Sequence, residues 1–319
     1  MSISFFIKNS KDGVMSVEEA LKIGENISQY TFREGDEDIE KHLKEELGNF
    51  DSVLVGTEEK SARGFELSYD DESKFYQIRL FTPCSIGDWE VALDYMEKLA
   101  LYVKSHNIVD EDGNEYSVES IKKYPYIENI EWGIAGIVDD FKRYNSECYI
   151  IFGIYRPVAF NKKMIDRISC SSNPAKEFSD IITEIQYIDA YSATQKIYKR
   201  DNGYIFGAYV LTEGCRTILP YKPSVEFYNI DIAKDKDISS WMISLVVING
   251  DPSNIDSYDG LGLVDYSKVI ENLPSDKYSF IDGKYIVIEP LEKDEMKKLY
   301  SLSQKRYGKR GFFKRMFGF

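Results

Sequence analysis

The chain has 319 residues, 43% of them apolar and 14% aromatic, with 24 Tyr and 18 Phe, and a formal net charge of −14. This length allows one large domain or two, the apolar share is enough for a sizeable core, and the aromatic load points to strands rather than a helical bundle. The acidic balance excludes broad nucleic-acid binding, because phosphates repel a negative surface.

The four cysteines, Cys84, Cys148, Cys170 and Cys215, lie far apart with no CxxC pair. They carry neither a disulfide-scaffold nor a zinc signature and fit a reducing cytoplasm. The start, MSISFFIKNSKDG, lacks the basic opening and long apolar core of a signal peptide. No run of about 18 apolar residues exists, so no membrane span is expected.

Taken in order, Ile3–Ile7 reads as a strand closed by a turn at Asn9–Gly13. Ser16 and Glu19 form a capping box for a helix reaching about Ile27. Asp36–Leu47 reads as a charged helix with a narrow Ile39, Leu43, Leu47 stripe, stopped by Gly48. Ser52–Val55 is a short strand, and Phe65–Tyr69 with Phe75–Phe81 makes a hairpin. Pro83 ends ladder donation, and Ser85 with Asp88 caps a helix. Its inward stripe is Ala92, Met96, Leu99 and Val103, widened by Trp89, Leu93 and Ala100. Ile127–Tyr144 favours a helix weakened by Gly133 and Gly136.

Tyr149–Tyr155, YIIFGIY, is a short, continuous apolar run and reads as a central strand. A domain boundary is placed just before it, giving residues 1–145 and 146–304 as two α+β domains and 305–319 as a tail. Pro174 opens a helix to Tyr191. Lys196–Lys199 and Tyr204–Thr212 flank an Asn202-Gly203 turn, a strong hairpin signal. Val225–Ile230 and Trp241–Ile248 read as strands, Asn249–Leu263 as a long loop, Tyr278–Ile288 as a hairpin and Lys293–Tyr307 as a last helix. Helices do not alternate regularly with strands, so the fold class is α+β with mostly antiparallel sheets.

Chemical motifs are sparse. His42 and His106 have no nucleophile beside them in the sequence and read as solvated or helix-end histidines. Gly260-Leu261-Gly262 resembles the opening of a dinucleotide loop, but Asp265 stands where the third glycine belongs, so a loop is expected. Asp110, Asp112 and Asn114 alternate like a calcium loop, yet Glu115 and Ile121 occupy the sixth and twelfth positions, so an acidic turn is expected. No metal site and no cofactor follow. Arg79, Arg156 and Arg216 lie in or beside strands of an acidic protein, and each needs a carboxylate or a ligand anion. Structural ion pairs are the default; convergence in a cleft makes them an anion-binding set.

The tail, KRYGKRGFFKRMFGF, holds six basic residues, no acidic ones and five aromatics, and the other 304 residues carry 34 basic and 54 acidic side chains, a net of −20. On a helix, Phe312, Phe313, Met316 and Phe317 share one face, with Lys309, Lys314 and Arg315 opposite and Arg310 adding charge. That pattern suits an interfacial membrane helix, a docking peptide for a partner groove, a segment folded back on the acidic body, or plain disorder.

The segments SISFFIKN, YQIRLFTPCSIGDWEVALDYMEKLA and YIDAYSATQKIYK followed by YIFGAYVLTEG resemble a bacterial family, the domain of unknown function forty-two ninety-nine. The resemblance spans the whole chain and implies a bacterial cytoplasmic protein, but no activity, cofactor or catalytic residue. The expected function is a non-enzymatic protein-binding module, an acidic body with a basic amphipathic tail that contacts a protein partner or, peripherally, the inner membrane surface. The alternative is a hydrolase-type enzyme using carboxylates and arginines on a small anionic substrate.

Overall fold

The computed structural model describes residues 1–32, 38–144 and 147–304. The chain divides into two compact units, Met1–Ile188 and a second beginning at Asp189. The boundary expected near Asn145 is therefore not where the chain divides. The apolar run after it packs with the first unit, and the helices that follow belong there too.

The first unit opens with β1 (Ser2–Lys8), the capped helix α1 (Val17–Leu21), β2 (Ile27–Gln29), α2 (Ile39–Lys44), β3 (Val53–Thr57), β4 (Phe65–Asp70) and β5 (Phe75–Phe81). Next come α3 (Ile86–Tyr102), β6 (Asn107–Asp110), β7 (Glu115–Ser117) and α4 (Tyr126–Tyr144). The seven strands form one antiparallel sheet ordered β2-β3-β4-β5-β1-β6-β7, with β1 between β5 and β6. Alternation along β5 buries Tyr76, Ile78 and Leu80. Helix α3 lies across β1, β3, β5 and β6 and buries every residue of its expected stripe, Trp89, Ala92, Leu93, Met96, Leu99, Ala100 and Val103. Both capping boxes form, Ser16 with Glu19 and Ser85 with Asp88.

Helix α1 stops at Leu21 rather than near Ile27. A Cβ on Gly24 would stand 2.4 Å from the Ile27 side chain, and Asn26 adopts φ +56°, so the chain turns out of the helix into β2. Gly133 does not weaken α4 without return: a side chain there would sit 2.8 Å from Pro83, so the glycine lets the helix cross the Thr82–Pro83 segment closely.

The unit closes with β8 (Cys148–Phe152), β9 (Pro157–Asn161), α5 (Lys162–Ser169) and α6 (Pro174–Gln186). YIIFGIY is not a central strand. Its first part is β8, half of a two-stranded antiparallel hairpin, with Ile150 and Phe152 exposed.

The second unit contains β10 (Tyr191–Ser192), β11 (Lys196–Lys199), β12 (Ile205–Thr212), β13 (Thr217–Pro220), β14 (Ser240–Ile248), β15 (Tyr258–Asp265), α7 (Tyr266–Asn272), β16 (Tyr278–Phe280), β17 (Tyr285–Ile288) and α8 (Lys293–Ser303). Two four-stranded sheets form, β10-β13-β17-β16 and β11-β12-β14-β15. Pairing is antiparallel except between β12 and β14 and between β10 and β13, so the class is α+β. The core joins Tyr209, Leu211, Ile243, Leu245, Val264, Tyr266, Ile286, Ile288, Met296 and Leu299 from both sheets and both helices.

The loop expected over Asn249–Leu263 is half strand. Leu245 pairs Gly262 and Val246 pairs Gly260, leaving Leu261 as the extra residue of a β-bulge. Gly262 takes φ +150° beneath the Tyr300 hydroxyl, so the glycines that mimic a nucleotide loop serve a bulge. The strand expected at Val225–Ile230 is absent as well; a 3-10 turn occupies Phe227–Asn229.

Candidate functional site

The three arginines singled out by sequence each have a local structural partner. Arg79 on β5 pairs with Glu66, its cross-strand neighbour on β4, and its Nε donates to Ser2 Oγ at 2.9 Å. Arg156, in the β8–β9 turn, donates from Nη1 to the Ile188 carbonyl at 3.1 Å, and Gln186 Oε1 accepts its backbone N–H at 3.0 Å. Arg216 grips Glu289 in a fork, Nε and Nη2 lying 3.0–3.1 Å from the carboxylate oxygens, with Nη1 on the Asp189 carbonyl at 3.1 Å. These are the ion pairs and carbonyl contacts of strand ends. They do not assemble an anion cleft within either unit.

A denser polar hub escaped the sequence reading. The buried Asp88 carboxylate does more than cap α3. Its Oδ1 accepts the N–H groups of Ala62 at 2.9 Å, Arg63 at 3.1 Å and Gly64 at 2.8 Å, while Oδ2 accepts the Ser85 N–H at 3.0 Å and the Ser85 hydroxyl at 2.8 Å. Burial pushes this carboxyl upward, and the converging donors oppose that push. Arg63 adds donations to the Phe152 carbonyl at 3.0 Å and the Pro83 carbonyl at 2.8 Å. All of this ties the β3–β4 connection to the start of α3. Nothing in it opens to a substrate, and burial holds the neighbouring Cys84 thiol well above its usual range.

A groove of about 460 Å³ in the first unit is lined by Gly24, Asn26, Lys60, Glu90, Asp94 and Lys122 among others. Its charges are already matched: Lys60 sits 3.0 Å from Glu90, and Lys122 3.0 Å from Asp94. His42 stacks on Phe32 and lies 3.6 Å from Glu45; His106 is exposed. Asp110 closes its turn by accepting from the N–H groups of Asp112 and Asn114 and from the Tyr116 hydroxyl, the acidic turn expected. Among the described residues no group of three His, Cys, Asp or Glu side chains is placed to hold a metal ion.

The connection between β13 and β14 is different. Here the ordinary partition of side chains is inverted. Asn229 and Ala233 are buried at 6% and 5% exposure, while Phe227 is 69% exposed, Tyr228 58%, Ile230 44% and Ile232 65%. The backbone turns tightly, Ile232 and Ala233 both donating to the Asn229 carbonyl at 2.9 and 3.1 Å. With the chain wound this way, four large apolar residues within six positions face outward.

Gln195, 2% exposed, fixes that turn from below. Its Nε2 donates to the Tyr209 hydroxyl at 2.6 Å and the Ser224 carbonyl at 2.8 Å. Its Oε1 accepts the Glu226 N–H at 2.9 Å and Asn229 Nδ2 at 3.1 Å, and its own N–H donates to the Tyr228 hydroxyl at 3.0 Å. The Glu226 carboxylate then receives the Tyr285 hydroxyl at 3.0 Å and lies 3.5 Å from Lys284 Nζ. Asp235 closes the far side by accepting the Val225 N–H at 2.6 Å. Burial and the Glu226 charge raise the Tyr209 and Tyr285 phenols, and burial together with Tyr209 raises Tyr266. Neutral phenols donating to one carboxylate make a satisfied lock rather than a reacting set. What the arrangement can do is present a preformed apolar surface.

Sequence reasoning passed over this loop because VEFY alternates like a strand. The contrary signals were Pro220 and Pro223 ahead of it, and Asp231, Asp235 and Asp237 within and after it. The tail residues Lys309, Arg310, Phe312, Phe313, Lys314, Arg315, Met316 and Phe317, expected to meet a membrane or a partner, lie outside the described residues. No helix of the described residues is long and apolar enough to cross a membrane.

The chain belongs to the family described as Domain of unknown function (DUF4299), which it matches over residues 2–299. No curated protein and no solved structure matches it.

Proposed function

Proceeding from membership of that family, we propose that the protein is a non-enzymatic binding module of the bacterial cytoplasm that takes a protein partner on the Phe227–Ile232 loop. One observation carries the reading: Phe227, Tyr228, Ile230 and Ile232 are held in water by a turn whose small and polar residues are buried beneath them. An exposed apolar cluster rimmed by polar residues is the usual mark of an interaction surface. The buried lock lowers the ordering cost of binding, since the loop does not have to be fixed when a partner arrives. Covering these side chains contributes roughly 1.5–3 kcal/mol each before association costs, a gross sum comparable with the ~8 kcal/mol of a micromolar complex. The acidic balance of −14 favours a partner with a basic rim around its own apolar patch.

The test uses the full chain as bait in cross-linking capture at low salt, beside a Phe227→Ser/Ile232→Ser variant with unchanged circular dichroism. The expected result is a stoichiometric partner that the variant loses and that high salt weakens. Recovery of the same proteins by both baits refutes the reading.

A further inference from the structure

The charges around the loop narrow the kind of partner it fits. Resting on the reading of Phe227–Ile232 as a docking surface, we propose that the partner is a second copy of this chain, the two loops meeting face to face across a twofold axis.

The first observation is the balance of charge at the rim. Between Tyr221 and Ser239 the exposed charged side chains are Lys222, Lys234 and Lys236 and Asp231, Asp235 and Asp237, three of each sign. The chain as a whole carries −14, and residues 1–188 hold 36 acidic against 21 basic side chains, a net of −15. A rim meant for a wholly basic surface gains from aspartates and loses with every lysine. A neutral rim of both signs suits an approaching molecule that is as acidic as this one, because it removes the like-charge repulsion at the point of contact. The basic groups that the acidic body calls for are then those of the second copy's own rim, its Lys222, Lys234 and Lys236.

The second is that these charges are not used within the chain. Among the described residues none of the six closes an ion pair; Asp235 and Asp237 accept backbone N–H groups instead, from Val225 at 2.6 Å and Lys234 at 3.0 Å. In the same unit Lys268, Lys277 and Lys284 do find carboxylates, on Glu271, Glu295 and Glu226. A twofold interface is isologous, so a patch that pairs with itself must carry its own complements. Turned onto its twin, this loop sets apolar side chains on apolar side chains and lets the lysines after Ala233 meet Asp231 of the other copy, twice over by symmetry.

The third is extent. Phe227, Tyr228, Ile230 and Ile232, exposed at 69%, 58%, 44% and 65%, present on the order of 400–500 Å² of side chain. A standard interface buries about 800 Å² on each partner. The four supply rather more than half of that as an apolar centre, and the six charged residues supply the remainder as a rim, the usual division of an interface.

The experiment is sedimentation equilibrium of the full chain at low salt, from about 1 to 200 µM, which brackets the weak end expected of such an interface. Three variants with unchanged circular dichroism are run beside it. The expected result is a monomer–dimer equilibrium that Phe227→Ser/Ile232→Ser abolishes. Lys234→Glu/Lys236→Glu makes the rim acidic and weakens self-association about tenfold or more. Asp231→Lys makes the rim basic and weakens it as well. An equimolar mixture of these two charge variants dimerises more tightly than either alone, a recovery that requires one loop to face the other. A monomer at every concentration overturns the proposal. So does a dimer that the double serine variant leaves intact, or a mixture no tighter than its components. Partner capture separates this from the reading it rests on. If the chain is monomeric while Phe227→Ser/Ile232→Ser still loses a captured protein of another sequence, the loop is the binding surface and its partner is not a second copy. If the serine variant loses neither the dimer nor any captured protein, the binding surface itself is wrong.

Discussion

Gln195→Met is the sharpest test of how the loop is held. Methionine keeps the length and volume of the side chain and removes its amide. Four hydrogen bonds go, those to the Tyr209 hydroxyl, the Ser224 carbonyl, the Glu226 N–H and Asn229 Nδ2. Two of these groups have a second partner nearby: Tyr209 lies 3.5 Å from Glu226 Oε1, and Asn229 Nδ2 lies 3.3 Å from the Gln195 carbonyl. The Glu226 N–H and the Ser224 carbonyl lose their Gln195 contacts outright. At about 1 kcal/mol per hydrogen bond, and about 1–3 kcal/mol for each buried group stranded, the loop is destabilised by roughly 2–4 kcal/mol. That corresponds to about 30- to 1000-fold faster exchange at the Glu226 amide if it exchanges by local opening of the loop. Hydrogen exchange resolved by residue is the assay, with amides of β12 as the internal control. An unchanged rate at Glu226 with normal β12 protection refutes the claim that Gln195 is the lock.

Three further outcomes follow from the same geometry. Asp88→Asn removes one carboxylate oxygen and turns an N–H₂ toward several N–H donors, so the first unit should lose about 3 kcal/mol and melt roughly 6–12 °C lower; a shift under 2 °C in a calorimeter contradicts the hub. Raised phenols at Tyr209, Tyr266 and Tyr285 keep their protons in the native state after the unfolded chain has lost them, so their stabilisation is full below pH ~10 and declines above it, by up to ~1.4 kcal/mol per pH unit for each. Urea midpoints between pH 9 and 11.5 should show this, with a shallower decline in Tyr285→Phe; an identical slope contradicts the assignment. Gly87→Ala places a methyl 2.1 Å from the Lys60 carbonyl oxygen and should cost roughly 1–3 kcal/mol by prising the β3–β4 connection from α3, seen as a lower urea midpoint; a neutral effect means that contact yields freely.

How much of this was legible in the sequence depended on whether an element carried its own signal. Ser85 and Asp88 announce α3, and its apolar stripe is buried at 3% exposure or less because periodicity and capping agree. Asn202-Gly203 announces the β11–β12 hairpin in the same local way. Elements settled by a partner strand or by a distant side chain were not legible. The bulged strand β15 is defined by β14, and its glycines read as a loop until that partner is known. YIIFGIY reads as central because nothing in that seven-residue run says that three of its side chains, Ile150, Phe152 and Tyr155, stay exposed. The β13–β14 loop was hidden for the same reason. Its conformation is written in Gln195, thirty residues upstream of Val225, and Gln195 looks unremarkable until its four contacts are seen.

The placement of residues in that loop argues against stability as its purpose. A chain selected only to fold gains by turning Ile230 and Ile232 inward, where each contributes roughly 1.5–3 kcal/mol, and by leaving an asparagine in water. Here Asn229 is buried and must be satisfied by Gln195, while the isoleucines on either side of Asp231 are exposed. Burying amides and a glutamate contributes little net energy and demands that every donor and acceptor be matched. What such a network does supply is a single backbone conformation, and that conformation is the one that leaves four apolar side chains exposed to solvent. Local rules of partition are broken most often where a surface is kept for another molecule. An Asn229→Leu change that raises the melting temperature while abolishing partner capture would express that trade directly. One that preserves capture would mean the inverted turn is an accident of the fold.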